Sequence, residues 1–408
     1  MTVEIVMRDG DRWTTQCTAA LWKPRVLLTA AHCLTKSGGG TVVDEVKVFP
    51  PGAAVPASVD VQSSASPIPV AAIVRPDGYT NLGTLVERDD IAAIVLASDL
   101  AASPITRLAT FSEVLRLVVS GSPVMTTGYG QTGPGLTSEL PNTVSLPLVS
   151  LAHSDDLGEY FLAGTGAGRG SCPGDSGSPV ISNGASGTVL LGILAGSSGP
   201  CYGQPEGTTI NFRAMGYLKV LNDALAQAGL PLVPGSPEGI EATVRNRNLL
   251  VSWGAPVIAP EAVVDYEIIG SDGHIACSTQ DTRCEIRGLS DGTYQFFVRS
   301  RNAQGEGNDF PIIKPIRVAG PSRMARPWLK QGRLAFRTLV GTSSAVIEQY
   351  QVRDSRGQQV CAITDIRTQQ RVQTCELPTG QGTDRYQVRA VTQMGTTAWS
   401  PSSKPIHS

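Results

Sequence analysis

This sequence predicts an all-β fold in more than one unit, and three observations predict it. Residues 1 to about 230 are rich in short apolar-alternating runs punctuated by Gly, Pro and Ser, the pattern of an all-β barrel or sandwich. A single helical periodicity closes that stretch, and beyond a Pro/Gly-rich break two segments repeat one plan. At 408 residues the chain is also too long for one ordinary core and fits two or three domains.

The elements follow in order. Val26-Leu27-Leu28, Ile91 to Leu96, Val144 to Val149 and Val189 to Ala195 read as strands. Around Ala214 to Ala228 the period changes, with Met215, Leu218, Leu221 and Leu225 recurring at three and four residues, which predicts one amphipathic helix closing the first unit. Gly229 to Pro237, with three prolines and two glycines, is the best candidate linker. After it come Leu249 to Trp253, Val264 to Ile268, the pair Cys277/Cys284, Gly288-Leu289, Gly292 to Val298 and Arg301 to Gly305. The second copy runs Leu334 to Phe336, Glu348 to Val352, Cys361/Cys375, Asp384 to Val388 and Met394-Gly395. Tyr266 to Cys277 and Tyr350 to Cys361 have the same separation, so the repeat is not a chance of composition; the second copy lacks the tryptophan.

Composition excludes several classes of function. A formal net charge of -2, with charged residues at 17% and scattered, leaves no basic footprint for nucleic acid. No stretch reaches the roughly 18 uninterrupted apolar residues of a spanning helix; the run Ala92 to Ala102 is broken by Asp99. Eight cysteines fall in local couples, 17/33, 172/201, 277/284 and 361/375, without the Cys-x-x-Cys plus His spacing of a zinc site. Four disulfides, an oxidising compartment, no metal and no cofactor are therefore expected. Met1-Thr2-Val3-Glu4-Ile5 is neither a charged n-region nor an apolar h-region, so a secreted reading requires sequence upstream of it.

The chemistry concentrates in three places. Cys172-Pro173-Gly174-Asp175-Ser176-Gly177-Ser178-Pro179-Val180 contains Gly-Asp-Ser-Gly, a loop that presents an activated serine beside backbone N–H donors. Leu28-Thr29-Ala30-Ala31-His32-Cys33 lies far upstream, and Asp89-Asp90-Ile91-Ala92 lies between them. A serine hydroxyl at neutral pH is a poor nucleophile and needs an adjacent base. Of the four histidines, His274 and His407 lie in the repeats and His153 sits in an acidic loop without a motif, which leaves His32.

In the order His, Asp, Ser these motifs resemble the chymotrypsin/trypsin-like serine proteases, whose fold is a double β-barrel with a C-terminal helix. Thr127-Gly128-Tyr129-Gly130 stands where that family has Gly-Trp-Gly, and Phe161-Leu162-Ala163-Gly164 where it has Phe-Cys-Ala-Gly, so Leu162 marks a missing disulfide. The resemblance implies Ser176 as nucleophile, His32 as base and Asp90 as its orienting carboxylate, preferred over Asp89 because it directly precedes Ile91-Ala92. It implies the N–H groups of Gly174 and Ser176 as the oxyanion donors. Cys17/Cys33 would brace the histidine loop, and Cys172/Cys201 would tie the serine loop to the wall of the substrate pocket.

The pocket floor implied by the family, six residues before the serine, is Gly170, followed by Ser171; no carboxylate stands there to pair with a substrate Arg or Lys. Ala195, Gly196 and Ser197 would form the strand edge to which an extended protein or peptide substrate adds. The other wall falls near Gly207 to Thr208, with Glu206 either entering the pocket or solvated, and an apolar or small residue before the cut is preferred. Family members switch on when a freed N-terminus inserts beside the aspartate preceding the serine, here Asp175. The expectation is that Asp175 lacks that ammonium and that the polypeptide lacks about 10 to 20 residues of the mature N-terminus plus a signal.

The two repeats resemble fibronectin type III domains, seven-stranded β-sandwiches compatible with spacing, polysaccharide docking or adhesion to a cell-surface protein. The expected units are 1–231 for the protease-like domain, 232–319 for the first sandwich and 320–408 for the divergent second. Trp253, Tyr266 and Tyr294 are expected in cores, whereas Trp328 and Trp399 are candidates for surface contacts. A secreted serine endopeptidase is the leading reading, and an adhesion or binding protein with an inactive protease-like domain is the alternative.

Overall fold

A computed structural model of the chain describes residues 2–52, 66–83, 87–105, 107–133, 136, 140–154, 158–164, 170–184, 187–198, 208–245, 247–257, 263, 265–290, 292–303, 305–312, 315–318, 324–339, 347–364, 371–378, 382–392 and 395–407. The fold is all-β with short helices. Its N-terminal part is a chymotrypsin-like pair of β-barrels.

The first barrel consists of β1 (Thr2–Asp9), β2 (Arg12–Lys23), β3 (Val26–Thr29), β4 (Glu45–Val48), β5 (Val70–Val74) and β6 (Ala92–Leu96) in the antiparallel order β4-β1-β2-β3-β6-β5. A bridge between Val48 and Ile68 brings the β4 edge to the segment entering β5 and closes the curl. Side-chain alternation explains why these strands are apolar on both faces. Ala19 and Leu21, Leu27, and Ala92, Ile94 and Leu96 fill the barrel, joined by Val3 and Ile5. Their neighbours Ala20 and Trp22, Val26 and Leu28, and Ile91, Ala93 and Val95 point the other way, into a core shared with the second barrel and the C-terminal helix. A strand buried on both faces reads as a continuous apolar run, which is the character of Ile91 to Leu96.

The second barrel is closed, in the order β10-β11-β12-β9-β8-β7, from β7 (Pro123–Gly128), β8 (Asn142–Ser154), β9 (Gly158–Gly164), β10 (Pro179–Gly184), β11 (Gly187–Ser197) and β12 (Thr208–Arg213). The predicted C-terminal helix is present as a 3-10 turn, Ala214–Tyr217, running into α2 (Leu218–Gln227); α1 (Phe111–Ser120) between the barrels was not anticipated. The signal for α1 was local: Thr110 and Glu113 form a reciprocal capping box, and Gly121 ends the helix at φ +62°.

Two further groups of strands share one plan. The first contains β13 (Glu238–Arg245), β14 (Asn248–Gly254), β15 (Asp265–Gly270), β16 (Ile275–Thr279), β17 (Arg283–Ile286), β18 (Gly292–Tyr294), β19 (Phe296–Asn302), β20 (Gly305–Glu306), β21 (Phe310–Pro311) and β22 (Ile316–Val318). They pair as β13-β14-β17, as β16-β15-β19-β20 with β21 on β19, and as β18-β22. The second contains β23 (Trp328–Lys330), β24 (Arg333–Arg337), β25 (Ile347–Arg353), β26 (Gln359–Ile363), β27 (Val372–Cys375), β28 (Thr383–Asp384), β29 (Gln387–Thr392), β30 (Gly395–Thr396) and β31 (Ile406–His407). Its pairings are β23-β24-β27, β26-β25-β29-β30 and β28-β31, the same scheme. Cys277–Cys284 joins the β16 edge to the β17 edge, and Cys361–Cys375 joins β26 to β27 in the equivalent place.

The aromatic cores match as well. Trp253 meets Tyr266 with centroids 5.4 Å apart; in the second copy Phe336 takes the tryptophan's place, 5.2 Å from Tyr350. Tyr294 departs from the core expectation. It lies on the short pair β18-β22, half-buried against Phe296, with its hydroxyl on Ser290 O. Trp328 is exposed at 37%, and Trp399 is held between the guanidinium groups of Arg353 and Arg389.

The stretch expected to be a linker is strapped down. Asn222 on α2 exchanges two hydrogen bonds with the Val233 backbone, Asn302 Nδ2 donates to Leu232 O at 2.9 Å, and Ser236 Oγ donates to Asn308 O. Beyond it, Asp309 Oδ1 accepts the N–H of Ser112 in the first turn of α1 at 3.0 Å, and Phe111 packs on Phe297. The buried Arg213 at the end of β12 donates to Asn308 Oδ1 at 2.9 Å and pairs with Glu159. The first repeat is thus seated on the second barrel through buried polar groups as well as apolar ones.

Candidate active site

Three loops converge at the seam between the barrels. His32 sits on a 3-10 turn, Ala31–Leu34, directly after β3, where the disulfide Cys17–Cys33 ties the turn back to β2. Asp90 immediately precedes the β6 region and is 1% exposed. Its Oδ2 lies 2.6 Å from His32 Nδ1, while Oδ1 accepts the His32 backbone N–H at 2.8 Å and the Tyr79 hydroxyl at 3.1 Å. Asp89, at φ +55°, faces elsewhere: it accepts from the Tyr217 hydroxyl and from Arg88. The geometry therefore separates the two adjacent carboxylates, and Asp90 is the one at the imidazole.

Electrostatics follow from these contacts. Burial alone would lower the His32 pKa, but the Asp90 charge and hydrogen bond, with a further contribution from Glu87, raise it above the ordinary histidine value. Burial, then the Asp90 charge, pushes the Tyr79 phenol far above its usual range, so Tyr79 acts as a donor. Tyr79 was not anticipated, and nothing local in Pro76-Asp77-Gly78-Tyr79 marks it.

Ser176 lies across the cleft on the loop leading into β10. Its hydroxyl hydrogen bonds Ala195 O at 3.4 Å rather than the His32 ring. Both side chains line one cleft of about 270 Å³, together with Gly174, Met7 and Lys36. Catalytic hydrogen bonds are commonly long or misaligned before substrate binds. The N–H groups of Gly174 and Ser176 donate to no acceptor among the described residues. Gly174 has φ +99°, a conformation that L side chains rarely adopt, and a Cβ there would press on Gly130 Cα.

Asp175, the residue expected to lack an ammonium partner, is held by backbone donors. Its oxygens accept the N–H groups of Gly130 and Cys172, each at 2.8 Å. Burial raises its pKa while these two donors oppose the shift. Gly130 is glycine because a Cβ at that position would sit on the Asp175 carboxylate. Tyr129 beside it is fully buried, its hydroxyl accepting from Gly52 N.

Ala195, Gly196 and Ser197 end β11. On one side Gly196 and Ser197 pair with Ile210 and Thr209 of β12; on the other, the β10 ladder reaches Ile193, Leu194 exchanges hydrogen bonds with Gly177 N and Ser178 O, and Ala195 O accepts from the Ser176 hydroxyl. Gly170 is half-buried and Ser171 buried at the start of the serine loop. Gly207, Glu206 and Cys201 lie outside the described residues; Cys172 is disulfide-bonded. Cys17, His32 and Cys33 form the one grouping of metal-ligating residue types among the described residues, and with both sulfurs in a disulfide it offers no thiolate.

Known proteins agree with this architecture. The chain is 25% identical over 213 residues to Trypsin beta of Drosophila erecta, covering 50% of this chain and 75% of that protein. It is 26% identical over 217 residues to Trypsin alpha of Drosophila melanogaster, covering 50% and 74%, and 25% identical over 220 residues to Trypsin alpha-4 of Lucilia cuprina, covering 52% and 77%. The family model described as Trypsin matches residues 2–217, and the chain belongs to the trypsin family.

Proposed function

We propose that this chain is a secreted serine endopeptidase that hydrolyses peptide bonds through an acyl-enzyme formed on Ser176. The observation that carries the reading is the pair of half-buried His32 and buried Asp90 opening onto the same cleft as Ser176 and two uncommitted backbone donors. In this scheme Ser176 Oγ attacks the substrate carbonyl as His32 Nε2 takes its proton. Asp90 holds Nδ1–H and stabilises the imidazolium that forms. The N–H groups of Gly174 and Ser176 receive the oxyanion, and the protonated His32 then delivers its proton to the leaving amine. Water enters by the same route in reverse to release the acyl group.

The end of β11 from Ala195 to Ser197, which runs past the last β10 pair beside Ser176, supports binding of an extended substrate along this strand, and the absence of a carboxylate at Gly170 and Ser171 favours a small or apolar residue before the cut. Three disulfides with both partners described support an oxidising, extracellular destination, and no helix among the described residues is long and apolar enough to cross a membrane. The two repeated groups of strands read as fibronectin type III domains, at about 232–319 and 320–408 after a protease domain at 1–231, acting as spacer or targeting units toward a polysaccharide or a cell-surface protein.

Ser176 resting on Ala195 O favours a second reading, an adhesion protein with a silent protease-like domain. Labelling with a fluorophosphonate decides between them. The enzyme reading expects wild type to be labelled and Ser176→Ala not to be; wild type that stays unlabelled under conditions where trypsin reacts overturns it.

A further inference from the structure

Thr18 lies one residue after the disulfide cysteine Cys17, on β2, and is fully buried. Every polar atom it owns is engaged at the junction of the two barrels. Its N–H donates to Ser176 O at 2.7 Å, and its carbonyl accepts from Thr29 Oγ1 at 2.8 Å. Its hydroxyl accepts from Tyr129 N at 3.1 Å and donates to Gly174 O at 3.0 Å. Because the Tyr129 amide occupies the acceptor side, the hydroxyl proton is directed to Gly174.

A peptide unit is planar and trans, so fixing its carbonyl fixes the opposed N–H. Four consecutive planes of the serine loop are fixed in this way. Pro173 O accepts from Gln131 N at 2.9 Å, which turns the Gly174 N–H away from Gln131. Asp175 O accepts from Ser178 N at 2.9 Å, which turns the Ser176 N–H away from Ser178. Between these two donor-bearing planes lies the Gly174–Asp175 unit: its N–H donates to Cys172 O at 2.9 Å within the loop, and its carbonyl is held from the other barrel by a side chain, the Thr18 hydroxyl. That unit follows a glycine at φ +99°, a joint without the steric restraint of a side chain.

We propose that the Thr18 hydroxyl is a positioning group for the oxyanion donors: it locks the Gly174–Asp175 peptide so that the N–H groups of Gly174 and Ser176 converge on one point. The proposal rests on the serine peptidase reading above. Thr18 touches no substrate, and its effect is confined to the transition state, in which the oxyanion exists.

The test compares Thr18→Val, which keeps shape and loses the hydroxyl, with Thr18→Ser, which keeps the hydroxyl. Thr18→Val is expected to lose roughly 10- to 100-fold in kcat, less than deleting an oxyanion donor outright, with KM nearly unchanged. Its affinity for a peptide aldehyde, which forms a tetrahedral adduct, is expected to fall by the same factor, while affinity for the corresponding product peptide stays level. Thr18→Ser is expected to recover most of the kcat. Folded Thr18→Val with wild-type kcat, or with equal losses for aldehyde and product, overturns the proposal. So does failure of both Thr18→Val and Thr18→Ala to fold, since the claim is positioning and not folding. Unlabelled wild type sinks the peptidase reading itself, whereas labelled wild type with an unimpaired Thr18→Val sinks this proposal alone.

Discussion

His32 and Asp90 are joined twice. The carboxylate reaches the ring at Nδ1 (2.6 Å) and the backbone of the same residue at N (2.8 Å), so one buried acid sets both the rotation of the imidazole and the path of the chain that carries it. Under the peptidase reading this relationship has measurable consequences.

Because the net effect of burial, Asp90 and Glu87 is to raise the His32 pKa, and because the base works as neutral imidazole, the acidic limb of kcat/KM should have its midpoint above the ordinary histidine value of about 6.5. The same shift means that the stabilisation from protonated His32 is full below that ordinary value and is lost as pH rises through the higher folded one. Asp90→Asn removes the charge and inverts the tautomer preference. kcat should fall about 10⁴-fold, with a limb displaced toward lower pH. A pH profile of ester hydrolysis for both proteins checks this.

Tyr79 donates to the Asp90 oxygen that does not face the ring. Tyr79→Phe withdraws that hydrogen bond, makes the carboxylate a stronger acceptor toward His32 and so should move the kcat/KM limb to higher pH. Plateau kcat should fall by less than about 10-fold, since the His32–Asp90 contact survives. An unmoved limb would show the phenol to be packing alone.

Gly130→Ala should be far more damaging than its size suggests. The new methyl collides with the Asp175 carboxylate, which can move aside only by giving up its hydrogen bonds to Gly130 N and Cys172 N. Loss of roughly 1 to 3 kcal/mol of stability is expected, together with a collapse of fluorophosphonate labelling, because Asp175 anchors the loop through Gly130 N and Cys172 N. Thermal melting and labelling rate, measured on one preparation, separate the two effects.

Asn308→Ala tests whether the first repeat is fixed to the barrel. It strips the acceptor from one nitrogen of the buried Arg213, which should cost about 1 to 3 kcal/mol. If the repeat were loosely tethered, melting of the barrel would be unchanged.

Much of this was readable in the chain. Short apolar runs bounded by Gly, Pro and Ser marked β3, β6, β8 and β11, and period-three-and-four apolar spacing marked α2, because in each case the pattern is local. His32, Asp90 and Ser176 were legible because each sits in a short motif whose neighbours shape its own loop. α1 differs: its capping box and its apolar stripe of Phe111, Val114, Leu117 and Val118 were both present in the sequence, but the helix is only ten residues long and lies between strand-like runs. Tyr294 was placed too deep because strand pattern does not reveal which strands lie at an edge.

By itself, then, the sequence determined which segments become strands, where the chain turns, and which side chains have the chemistry to be a base, its partner and a nucleophile. Only the tertiary structure decided that Asp90 grips both the ring and the backbone of His32, that Tyr79 and Thr18 stand behind the site, and that Asn308 and Asp309 reach the second barrel. The physical reason is range. Periodicity, caps and motif loops are settled by neighbours along the chain, whereas a hydrogen bond between residues 156 apart, as from Thr18 to Gly174, depends on how two barrels pack and leaves no local trace.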